Sequence, residues 1–186
     1  MDYNEALMRA AKQSGFTLIE LLIVVSIIGI IAATAIPGLL RARIAGNEAS
    51  VVGSLRAINS GETAFSTSCG QGGYATSLSQ LFAPAPTRDH GFISPDLSAD
   101  TTTKAGYTIV LAEGRSSTVV VAQAATCNNI GDALASYFVE AAPVSFGGSG
   151  TRHFGTDERG SIFQDTSDTA LAPDTLGTAG TISPIQ

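Results

Sequence analysis

Gly15-Phe16-Thr17-Leu18-Ile19-Glu20-Leu21-Leu22-Ile23-Val24-Val25-Ser26-Ile27-Ile28-Gly29-Ile30-Ile31-Ala32-Ala33 is the stretch that decides how this chain folds. From Leu21 to Ala33 only Ser26 and Gly29 interrupt an aliphatic run. The wider segment Phe16–Leu40 adds Thr17, Glu20, Thr34, Pro37 and Gly38. As a helix, its 25 positions would span about 37 Å, enough to cross a bilayer core of about 30 Å. Glu20 is out of place there, because an unpaired acid in a membrane helix costs about 2.5–3.5 kcal/mol at the bilayer centre and less near the interface. As a first-turn carboxylate it would instead be favoured by the helix dipole.

Working outward, nothing between Leu40 and Phe65 stops the helix. Ile44, Val51, Val52, Leu55, Ile58 and Phe65 recur at helical spacing, with Arg43, Asn47, Ser54 and Gly61 largely elsewhere. Residues 41–65 therefore read as an amphipathic continuation. Beyond Phe65 the texture changes to loops and short strands. Tyr107–Ala112, Ser117–Ala124 and Tyr137–Ala141 have strand character, and Arg152–Phe154 with Ser161–Phe163 reads as a hairpin around Asp157-Glu158-Arg159-Gly160. The expected fold is α+β: a long N-terminal helix whose second half packs on a small antiparallel sheet. Residues 66–163 form the expected head, and 164–186 an extended or disordered tail.

The net charge of -6 arises entirely after residue 65, because the acidic and basic side chains before it balance. That argues against a specific nucleic-acid partner, which needs clustered Lys and Arg. If the C-terminal part is exported, a disulfide is the simplest use of Cys69 and Cys127; the alternative is two buried thiols. Catalytic groups are sparse. His90 and His153 lack partners at metal-ligand spacing, and no serine sits in a nucleophile-elbow pattern. No enzyme activity, cofactor or metal is expected.

The junction Lys12-Gln13-Ser14-Gly15-Phe16-Thr17-Leu18-Ile19-Glu20, followed by the aliphatic run, resembles the cleavage and methylation signature of type IV prepilins and of the related type II secretion pseudopilins. The resemblance covers roughly residues 8–65. It implies cleavage between Gly15 and Phe16 by a prepilin peptidase, N-methylation of Phe16, and acceptance of a neighbouring subunit's Phe16 amine by Glu20 during filament assembly. It places the helix kink at Pro37 and implies an inner-membrane platform and an ATPase as partners. Some pseudopilins bind Ca²⁺, but Asp157, Glu158, Asp165 and Asp168 lack an ordered ligand loop. The acidic start, with Asp2 and Glu5, is unlike a basic leader, and Met8 is the expected true start.

These readings define five zones: a leader (1–15), a membrane and filament-core helix (16–40), its amphipathic continuation (41–65), the head and the tail. The expected protein is a homo-oligomeric filament subunit, inserted in the bacterial inner membrane as a precursor with its head periplasmic. Two cysteines, the lack of an Asp-Pro-Trp-Gly-type segment and the lack of any Trp favour a pilin over a pseudopilin. A membrane-tethered binding domain is a minor alternative. An ordinary signal peptide cut after Ala33-Thr34-Ala35 is disfavoured by Glu20 and by direct continuation into the second helical segment. An electron-conducting filament is unattractive, because the rod carries only Phe16 and Phe65 as aromatics.

Overall fold

The computed structural model describes residues 15–86, 88–115, 117–177 and 180–185. The expected leader, including Arg9, Lys12 and the start at Met8, lies outside them except for Gly15. The chain divides into two compact units between Leu40 and Arg41. One helix, α1 (Leu18–Ser68), contributes to both.

In the first unit almost every residue of α1 is exposed, and among the described residues nothing covers its large aliphatic side chains. The few polar side chains are satisfied locally. Ser26 donates to the Leu22 carbonyl at 2.7 Å and Thr34 to the Ile31 carbonyl at 2.9 Å. Such back-bonding removes the cost of an orphaned hydroxyl in an apolar medium. Pro37 lies inside the helix, where it removes one backbone hydrogen bond.

In the second unit α1 buries Glu48, Val51, Ser54, Leu55, Ile58, Gly61, Glu62 and Phe65. The 3–4 spacing of this set makes one continuous stripe. It matches the expected face at Val51, Leu55, Ile58 and Phe65, while Ile44 and Val52 are half-buried. Ser54 and Gly61 are corrections: both lie on the packed face, Ser54 with its hydroxyl bonded to the Ser50 carbonyl and Gly61 because the loop at Phe92–Ile93 crosses it. A Cβ there would stand 2.7 Å from Ile93 Cγ2.

The stripe packs with a six-stranded antiparallel sheet in the order β1 (Thr101–Lys104), β2 (Tyr107–Glu113), β5 (Tyr137–Pro143), β6 (His153–Asp157), β7 (Ile162–Asp165) and β8 (Ile182–Pro184). Alternate residues supply the inner face, including Tyr107, Ile109 and Leu111 from β2 and Tyr137, Val139 and Ala141 from β5. The α+β expectation is met, with two differences. The strand expected over Ser117–Ala124 shrinks to β3 (Val119–Val121), which leaves the main sheet to pair with β4 (Ala133–Leu134). Its place beside β2 is taken by β1, a polar Thr-Thr-Thr-Lys strand returned by Ala105 and Gly106, both at positive φ. A short helix, α2 (Leu78–Phe82), precedes the sheet and is capped by Ser77.

Within residues 164–186, expected as an extended or disordered tail, two leucines are anchored. Leu171 and Leu176 are buried against Phe138 and Phe163, which point away from the helix side of the sheet and need a cover. Gly155 makes room for them, since a Cβ there would approach Leu171 Cδ1 to 3.1 Å and Leu176 Cδ2 to 3.2 Å. β8 then pairs with β7 through Asp165–Ile182 and Phe163–Pro184.

Candidate processing and assembly segment

Gly15, Phe16 and Thr17 precede the first turn of α1. A side chain at Gly15 would meet nothing within 4 Å, and Phe16 is 80% exposed. Among the described residues, nothing covers Gly15 or Phe16.

Glu20 is tied to its own chain. Its Oε2 accepts from the Thr17 backbone N–H at 2.9 Å and from the Thr17 hydroxyl at 2.6 Å. In return the Glu20 N–H donates to Thr17 Oγ1 at 3.3 Å. This is a capping box, which satisfies backbone donors that the first turn otherwise leaves open. The Thr-x-x-Glu spacing before an apolar run was its sequence signal. Glu20 therefore has a partner within its own chain. Phe16 lies two positions before α1, Glu20 sits in its first turn, and Pro37 lies about five turns beyond Glu20.

Cys69 immediately follows α1 and is joined to Cys127 by a disulfide. The bond ties the helix end to the loop leading to β4. Cys69 is almost fully buried.

A family model described as the prokaryotic N-terminal methylation motif matches residues 10–36. The chain carries a prepilin-type methylation motif. Such motifs are characteristic of type IV pilin and pseudopilin precursors, and they imply processing by a prepilin peptidase followed by filament assembly. Their family is structural rather than enzymatic. With its long apolar helix, the motif fits an inner-membrane-anchored precursor. No curated protein and no solved structure matches the chain. The head is accordingly read from its own architecture, which is pilin-like.

The buried polar groups of the head include His153 and two glutamates that the sequence pattern does not reveal, Glu48 and Glu62. Glu48 on α1 accepts from the Thr151 N–H and hydroxyl, both at 2.9 Å, and from Arg152 Nε at 3.0 Å and Nη2 at 2.5 Å. Burial pushes its carboxyl up, but the Arg152 guanidinium and Thr151 outweigh this and hold it below the ordinary range. Glu62 is fully buried, and only Oε2 has a partner, the Ala75 N–H at 2.9 Å. Burial drives its carboxyl well above the ordinary range. His153, also buried, has Nδ1 3.8 Å from Glu140 and Nε2 3.7 Å from Asp168, both beyond hydrogen-bond distance. Helical periodicity hid the two glutamates, because they occupy core positions in a stripe read from apolar residues alone.

Two of the four acids considered for Ca²⁺ are engaged elsewhere: Asp157 holds Arg159, and Asp165 accepts from the Ser167 N–H and hydroxyl. Among the described residues, no three His, Cys, Asp or Glu are grouped to hold a metal. His90 is an exposed loop residue.

Proposed function

We propose that this chain is a structural subunit of a type IV pilus or pilus-like filament. The observation that carries the reading is the exposed aliphatic helix that begins at the methylation motif and leads into a packed head. In this reading prepilin peptidase cuts between Gly15 and Phe16, and the new amine is methylated. The first half of α1 holds the subunit in the bacterial inner membrane with the head in the periplasm. An assembly platform and an ATPase then transfer it to the filament.

In lipid the aliphatic side chains are already out of water, so transfer gains little from the hydrophobic effect. Packing and polar pairing must supply the specificity. Glu20 is the assembly acid in this reading: it leaves Thr17 to accept the Phe16 amine of a neighbouring subunit, so two charges are neutralised and axial register is set. Pro37 supplies a weak point where the helix is able to adjust on leaving the bilayer. The disulfide fits a head exported from the cytoplasm, because both the periplasm and the cell surface are oxidising.

Electron microscopy of surface filaments in wild-type and deletion strains, with N-terminal sequencing of the purified subunit, tests the proposal. Filaments that vanish on deletion and a mature chain beginning at methylated Phe16 are expected. A mature chain beginning at Ile36 would instead identify an ordinary signal peptide and overturn it.

A further inference from the structure

The loop Val144–Thr151 contains two apolar side chains in the setting Val-Ser-Phe-Gly-Gly-Ser-Gly-Thr. Val144 is 61% exposed and Phe146 38% exposed. The backbone beneath them is firmly held. The Val144 N–H donates to the Gly106 carbonyl at 3.0 Å, and the Ser145 carbonyl accepts from Gly148 at 3.0 Å and from Ser149 at 2.8 Å. Asn47 Nδ2 on α1 donates to the Ser149 carbonyl at 2.9 Å, and Glu48 takes the Thr151 N–H and hydroxyl. Phe146 also stacks on His153, with ring centroids 6.0 Å apart. A braced loop thus presents apolar groups to the outside beside the first residues of the helix in the second unit.

Those helix residues include Arg41 and Arg43, both exposed. Among the described residues neither is ion-paired, whereas the neighbouring acid Glu48 is turned inward to Arg152 and Thr151. The negative charge of the head comes from residues farther along the chain. Asn47 follows Leu40 by seven residues, about 10 Å as helix and no more than about 25 Å fully extended. The polar layer of a bilayer is about 5–7 Å deep on each side. The loop is therefore within reach of the lipid surface by chain length alone.

We propose that Val144 and Phe146, with Arg41 and Arg43, form a lipid-docking face that seats the head on an anionic bilayer before assembly. The apolar side chains would enter the headgroup and acyl boundary, and the two guanidiniums would meet lipid phosphates. The inference rests on the membrane reading given above.

The chain has no Trp, so single-Trp variants are clean probes. Full-length Ile28→Trp, Phe146→Trp, Val144→Trp and Val120→Trp chains would each be placed in nanodiscs of phosphatidylethanolamine and phosphatidylglycerol, with brominated acyl chains as quencher. Val120 is exposed in β3, whose partner β4 contacts Tyr74 beyond the opposite end of α1. Expected is strong quenching at 28, loss of about half the emission at 144 and 146, and none at 120. Quenching at 28 with 144 and 146 behaving like 120 would overturn the docking face while leaving the membrane reading intact. Absence of quenching at 28 would overturn both. Blue-shifted but unquenched Trp at 146 would assign the face to contact with another protein copy, and the lipid proposal would fall.

Discussion

Thr17 and Glu20 bond reciprocally across the first turn of α1, so the one acid of the apolar segment is held by its own chain. This separates two roles that a Glu20 substitution alone would confuse. If Glu20 acts only as a cap, Thr17→Val, which removes both bonds of the hydroxyl but keeps the Thr17 N–H bond to Glu20, and Glu20→Ala both weaken the start of the helix and change assembly in the same direction. If Glu20 also receives a neighbour's amine, only Glu20→Ala or Glu20→Leu impairs assembly. The expected outcome is normal cleavage in all three, near-normal filaments with Thr17→Val, and few or none with the Glu20 variants. Immunoblots of processed subunit and filament yields from sheared cells provide the measurement. Equal losses in Thr17→Val and Glu20→Ala would reduce Glu20 to a cap.

Glu62 gives the head a pH dependence of defined sign. Its folded-state pKa is raised well above the ordinary value of 4.5, so the folded head retains a proton that the unfolded chain releases. Its contribution to stability is greatest below that ordinary value and falls as pH rises toward the folded-state pKa, by about 1.4 kcal/mol per pH unit in that window. Glu62→Gln keeps the shape and an acceptor for Ala75 but does not titrate. It should match the wild type near pH 4 and be more stable at pH 7. Urea denaturation of the full chain in mild detergent, followed by tyrosine fluorescence, checks this, because Tyr74, Tyr107 and Tyr137 all lie in or against the head core. Parallel pH curves for the two proteins would show that Glu62 is ionised in the fold.

What the sequence made legible follows the strength of its periodic signals. The apolar run, the 41–65 stripe and the strands at Tyr107 and Tyr137 stand out because burial requires regular spacing of large side chains. β1 does not, since Thr-Thr-Thr-Lys carries no apolar alternation and is recruited by the Ala105-Gly106 turn. The anchoring of Leu171 and Leu176 was equally hidden. Two leucines in a polar segment matter only because Phe138 and Phe163 are exposed to them by a sheet that must first exist. At the processing segment the residue types and the first-turn position of Glu20 are plain in the sequence, but the dipole argument alone does not reveal the side-chain bond to Thr17.

The Cys69–Cys127 bond closes a loop with a sequence separation of 58. Chain entropy assigns it about 4 kcal/mol. A Cys69→Ser/Cys127→Ser chain should lose most of that in the same urea assay, and reductant should lower the wild type toward it while leaving the variant unchanged. A wild type insensitive to reductant under conditions that release both thiols would show that packing of the buried Cys69 region already holds the helix end.

Glu48 and Arg152 form the other electrostatic tie, with pH dependence of the opposite sign. Glu48 has its folded-state pKa depressed, so its contribution is present above the ordinary carboxylate range and is lost as pH falls through the folded value. Arg152→Ala leaves Glu48 buried with only Thr151 as partner. Because Arg152 itself is partly exposed, the expected cost at pH 7 is about 2–3 kcal/mol, less than for a fully buried pair. The gap from wild type should narrow as the pH is lowered and Glu48 protonates. A double-mutant cycle with Glu48→Gln isolates the pair from the packing of the Arg152 stem over Phe154, whose ring centroid is 5.3 Å from the guanidinium carbon. A pH-independent gap together with zero coupling in that cycle would assign the loss to this stacking contact and to the Arg152 Nη1 bond to Gln164 Oε1, and leave the ion pair without a stabilising role.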